Sequence, residues 1–135
     1  MLKATYTDTG VFLEKLTESV EGLVIQRVVL NLRLGRRLVV ESSYASLLLP
    51  ADLSGVAELD AIAQKLSSEI LQLTPCDSEW VEVTLRGTWI TTAADGDEGI
   101  FAVELEAEAE RCLFELWRRS QSQSADLTNP AARRR

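Results

Sequence analysis

Between Asp95 and Gly99 the chain places three carboxylates, Asp95, Asp97 and Glu98, together with two glycines. Hard cations such as calcium take several carboxylate and carbonyl oxygens from a flexible turn, so this segment is the first candidate for chemistry. The EF-hand spacing is not met. Counting from Asp95, Gly99 stands fifth where an oxygen ligand belongs, and Ile100 sixth where glycine is required. Ile100 to Ala107 also has strand character. The segment therefore reads as an acidic hairpin tip, with calcium held by Asp95, Asp97 and Glu98 as the alternative and no other cofactor expected.

Two further groups invite a catalytic reading. Glu104 and Glu106 share one face of the strand that follows, but acid/base work needs a desolvated carboxyl group, and an alternating outer face offers no burial. Pairing with Arg86 across the ladder is the expected role. Cys76 falls in a loop and Cys112 on an apolar helical stripe; neither belongs to a Cys-x-x-Cys pair, and the chain contains 0 histidines to activate a thiol or complete a metal site. There is no Gly-rich phosphate loop, no Gly-x-Ser-x-Gly elbow and no internal repeat. A non-catalytic protein is expected.

The elements that would position these groups follow from periodicity. Leu2, Ala4 and Tyr6 alternate with polar residues, Asp8-Thr9-Gly10 supplies a turn, and Val11 to Leu16 returns as the second arm of a hairpin. Thr17 to Ile25 is ambiguous, because Leu16, Val20, Leu23 and Val24 have helical spacing while Gly22 weakens a helix; one or two turns are expected. Val28, Leu30, Leu32 and Leu34 then alternate as a half-buried strand, Gly35-Arg36-Arg37 turns, and Leu38 to Tyr44 returns, the run Leu47 to Leu49 ending at Pro50.

Asp52 or Ser54 caps a helix with Val56, Leu59, Ala63, Leu66 and Ile70 on one stripe. Trp80 to Ile90 resumes alternation, with Gly87 as a possible bulge, and Phe101 to Ala107 completes a second hairpin. A closing helix from about Glu108 to Ser120 stripes Ala109, Cys112, Leu113, Leu116 and Trp117, with Glu115 placed to pair with Arg118 or Arg119. The expected fold is α+β: one domain over residues 1–120, with an antiparallel sheet of about five or six strands and two main helices packed on one face. Residues 121–135, Ser/Gln-rich and ending in three arginines, read as a disordered tail.

Charge shapes the choice of partner. The formal net charge is -7, with seven acids and no base from Asp95 to Glu110, and four arginines (Arg27, Arg33, Arg36, Arg37) and no acid from Arg27 to Arg37. Such a body repels nucleic-acid backbones, and no segment has the length and apolarity of a membrane span or the build of a signal peptide. A soluble cytoplasmic protein with a protein partner is expected. Phe114 and Trp117 widen the apolar stripe of the closing helix and are candidate partner-binding residues; Arg36 and Arg37, with Arg33, are candidates for meeting the acidic face of a second copy in a homodimer.

Met1 to Gly10, the Leu48-Leu49-Pro50-Ala51-Asp52-Leu53 stretch and Val81 to Gly87 resemble a family of small uncharacterised cyanobacterial proteins. That resemblance implies the cytoplasm of a photosynthetic bacterium and carries over no site residue. The order of elements is also similar to secretion-chaperone-like domains, commonly dimers that bind unfolded segments. This second likeness, one of architecture only, implies an adaptor or chaperone.

Overall fold

The computed structural model describes residues 1–66, 69–92 and 98–120. The expected tail, 121–135, and Asp95 and Asp97 lie outside the described residues. In chain order the elements are β1 (Leu2–Thr7), β2 (Gly10–Lys15), α1 (Val20–Arg33), β3 (Leu38–Pro50), α2 (Val56–Leu66), β4 (Leu71–Pro75), β5 (Trp80–Thr92), β6 (Gly99–Val103) and α3 (Ala107–Ser120). All pairings are antiparallel, in the order β2-β1-β6-β5-β3, with β4 also on β5. The fold is α+β.

Alternation sorts the side chains onto two faces of this sheet. Leu2, Ala4 and Tyr6 of β1, Leu47 and Leu49 of β3, Val83, Leu85 and Trp89 of β5, and Phe101 and Val103 of β6 share one buried cluster with Val56 and Leu59 of α2 and with Ala109, Leu113 and Leu116 of α3. The two expected helices thus cover one face together. Ile90, Ile100 and Ala102 point the other way, where they form a smaller cluster with Leu23 of α1 and the half-buried Val20, Val24 and Leu38.

α1 is the main correction to the sequence reading. Val28 to Leu34 is not a strand; residues 20 to 33 are one helix, and Gly35 turns the chain from that helix into β3. Ser19 caps it, its hydroxyl accepting from the Gly22 amide at 3.0 Å, so Gly22 sits in the first turn, where its helix penalty matters least. The sheet-facing row is Val20, Leu23, Val24, Arg27 and Asn31, at helical spacing. Leu30, Leu32 and Leu34, which a half-buried strand would have turned inward, are exposed instead. A helix that is apolar on nearly every side contains a strand-like alternation within it.

The helix ends with a Schellman arrangement. The Arg36 amide donates to the Asn31 carbonyl at 2.8 Å and the Gly35 amide to the Leu32 carbonyl at 3.2 Å. Gly35 has φ +67°, a left-handed backbone that glycine adopts without strain.

Smaller corrections follow. α2 stops at Leu66, so Ile70 falls beyond its stripe and is followed by β4, a strand the pattern did not announce. Asp77 organises the turn from β4 to β5, its carboxylate accepting from the amides of Glu79 at 2.7 Å and Trp80 at 2.9 Å. Gly87 is not a bulge, because β3 and β5 stay in register from Leu38↔Thr92 to Pro50↔Trp80. A Cβ there would strike the Ala102 carbonyl oxygen and come within 2.8 Å of the Phe101 ring, so glycine permits close approach of β6. β6 ends at Val103, which leaves Glu104 and Glu106 outside the ladder.

Candidate interaction surface

The two faces of the sheet are covered unequally, and the candidate site lies on the thinner side. α1 buries only Leu23 and Asn31 fully. Along its outer side Ile25, Val29 and Leu32 recur at spacings of four and three, which places them in one row, at 56, 43 and 71% exposure. Leu30 and Leu34, also exposed, line a groove of about 260 Å³ between the end of α1 and the strand ends. Arg27, Asn31 and Arg36 line it from the helix side and Thr91, Thr92 and Glu98 from the strand ends, Asn31 held by a 2.8 Å bond from its Nδ2 to the Arg27 carbonyl. On the same face of the sheet β3 exposes Val40, Tyr44 and Leu48. An aliphatic helix face beside an aliphatic strand, rimmed by Arg33, Arg36 and Arg37, is chemistry for contact with another apolar chain.

The candidate residues named from sequence do not form one surface. Arg36 and Arg37 are exposed just past α1. Phe114 and Trp117 belong to α3, against the opposite face of the sheet, where both are half-buried at the edge of the larger core. Their rings stack at 6.3 Å, and Lys15 Nζ and the Arg118 guanidinium each lie 5.9 Å from the Phe114 centroid. Much of the wide stripe of α3 is thus taken up within the domain. The aliphatic row of α1 was missed; its signal was the density of Val, Leu and Ile from Val20 to Leu34, spread over more sides of a helix than one sheet contact can cover.

The acidic groups have structural partners. Of the calcium candidates only Glu98 is described, and its carboxylate accepts from the Asp8 amide at 3.0 Å, bracing the β1–β2 turn, while its carbonyl accepts from the Thr91 hydroxyl. Among the described residues no group of three or more Cys, Asp and Glu could hold a metal ion. Glu104 does not pair with Arg86. It accepts from the Val20 amide at 2.7 Å, a carboxylate at the positive end of α1, and Arg86 instead meets Glu69 at 3.1 Å. Glu115 pairs with Arg111 at 3.8 Å, one turn back. Cys112 is buried, and that burial followed by the nearby Glu58 carboxylate pushes its thiol pKa up, away from a reactive thiolate. Burial likewise raises the Tyr6 hydroxyl pKa, and the ring packs edge-on against Trp89 at 5.6 Å.

Among the described residues no helix is long and apolar enough to cross a membrane. The model of the Alr0857-like family matches residues 1–121. No curated protein and no solved structure matches the chain.

Proposed function

The chain belongs to the Alr0857-like family, and from its geometry we propose that it is a non-catalytic adaptor or chaperone-like protein of the cytoplasm that binds apolar segments of other proteins along α1. One observation carries this reading: Ile25, Val29 and Leu32 form an exposed aliphatic row on a helix that already has its own sheet contact through Leu23. Solvent-facing rows of that kind cost solubility, and their common use is recognition. The buried Cys112 and the engaged Glu98 and Glu104 favour binding over chemistry.

The reading is tested with a permanently unfolded probe, reduced and carboxymethylated lactalbumin, by anisotropy and by suppression of its aggregation. The wild-type chain is expected to bind it. The Val29→Glu/Leu32→Glu double variant, changed only at exposed positions, should lose at least about tenfold in affinity. Equal binding by the two, or none by the wild type, would overturn the reading.

A further inference from the structure

The groove at the end of α1 is built unlike the rest of that helix. Arg27 and Asn31 stand one turn apart on the side that meets the sheet, where a helix serving only its own core would carry aliphatic side chains. Arg27 is half-buried and Asn31 is only 7% exposed. The single bond of the Asn31 side chain, from Nδ2 to the Arg27 carbonyl, lies within its own turn and leaves its second N–H and its carbonyl oxygen to the groove. A nearly buried amide with capacity unused is costly unless something else engages it. Arg36 lines the same groove from beyond the helix, and among the described residues no carboxylate pairs with either guanidinium.

The other charge in the described lining is Glu98, whose carboxylate accepts from the Asp8 amide. Two cations and one anion leave a single net positive charge, which a monoanion matches and a doubly charged group would exceed. Leu30, Leu34, Leu38, Ile90 and Ile100 supply the aliphatic part of the lining. A carboxylate joined to an aliphatic body suits both parts. The groove is not an enclosure for a free acid, because Leu30 and Leu34 are 47 and 55% exposed and continue its apolar lining toward the outer side of α1, where Ile25, Val29 and Leu32 stand. We infer that Arg27, Asn31 and Arg36 hold the C-terminal carboxylate of the apolar segment that α1 binds, the last side chains of that segment resting on Leu30, Leu34 and Leu38. This rests on the reading of α1 as a capture surface and gives it a substrate class: chains with apolar, unblocked C-termini.

The probe is an octapeptide of alternating serine and leucine that ends in leucine, labelled with fluorescein at its N-terminus and made both with a free C-terminal carboxylate and as the C-terminal amide. Each form is titrated by anisotropy with the full-length protein. The carboxylate form should bind at least about tenfold more tightly than the amide. Arg36→Gln, at an exposed position, should shrink that ratio, and Arg27→Gln/Arg36→Gln should bring it to about one while leaving the affinity for the amide unchanged. The ratio is taken within each protein, so a general loss of fold does not imitate the result. Equal affinity for the two forms, with both lost in the Val29→Glu/Leu32→Glu variant, would overturn the carboxylate site and leave the α1 reading intact. A preference that survives loss of both arginines would overturn it as well. So would binding of octanoate, lost with the two arginines, by a protein that does not distinguish the peptides, since the groove would then take a free acid.

Discussion

The two faces of this sheet answer the same problem differently. On one, α2 and α3 lay amphipathic stripes over a contiguous core, and Leu59, Ala109, Trp89 and Leu116 are all fully buried. On the other, α1 covers a short row of strand residues and turns half of its own aliphatic side chains, Ile25, Val29, Leu30 and Leu32, to solvent. Both the number and the placement of charged residues distinguish α1 from α3. α3 carries Glu108, Arg111, Glu115, Arg118 and Arg119 around its apolar stripe, whereas α1 has leucine and valine at outer positions where a helix serving only the fold would carry charge. The closed face holds the larger core, and the other leaves Ile25, Val29 and Leu32 exposed.

Substitutions should reproduce that contrast, read as unfolding free energies in urea. Leu116→Ala on the closed face removes a fully buried side chain from the larger cluster and should cost about 3 to 5 kcal/mol. An equivalent change at Leu23, in the smaller cluster beneath α1, should cost about 2 kcal/mol, because thinner packing relaxes more readily. A larger loss at Leu23 than at Leu116 would reverse the comparison. Ser19→Ala, which removes the hydroxyl that caps α1, should cost about 1 kcal/mol. The smallest effect is expected for Leu32→Ser, within about 0.5 kcal/mol of wild type, since this residue is 71% exposed. A substantial loss there would mean that the outer row of α1 serves the fold after all.

Much of this architecture was legible in the sequence. The first hairpin was announced by the alternation of Leu2, Ala4 and Tyr6 and by Asp8-Thr9-Gly10; α2 and α3 each carried a single apolar stripe; and β5 alternated over most of its length. α1 was only half legible, because the alternation from Val28 to Leu34 competed with the helical row that ends at Asn31, and only the sheet contact decides between them. β4 was hidden because Ile70 continues the spacing of α2 while Leu71 and Leu73 already belong to a strand. The candidate surface was legible only at Arg33, Arg36 and Arg37. Its aliphatic part could not be seen while Leu30, Leu32 and Leu34 were assigned to a buried sheet face. The partners of Glu104 and Arg86 depend on where β6 stops, and local pattern does not encode that point.

The link from Leu34 to Arg37 has a mechanical consequence. It is short, and the two bonds from Gly35 and Arg36 back into the last turn of α1 leave it little slack. Helix and edge strand are therefore yoked: a load applied along one is delivered to the other within a few bond lengths. α1 is anchored to the sheet by few fully buried side chains, so a displacement of β3 is passed directly to the end of a lightly held helix.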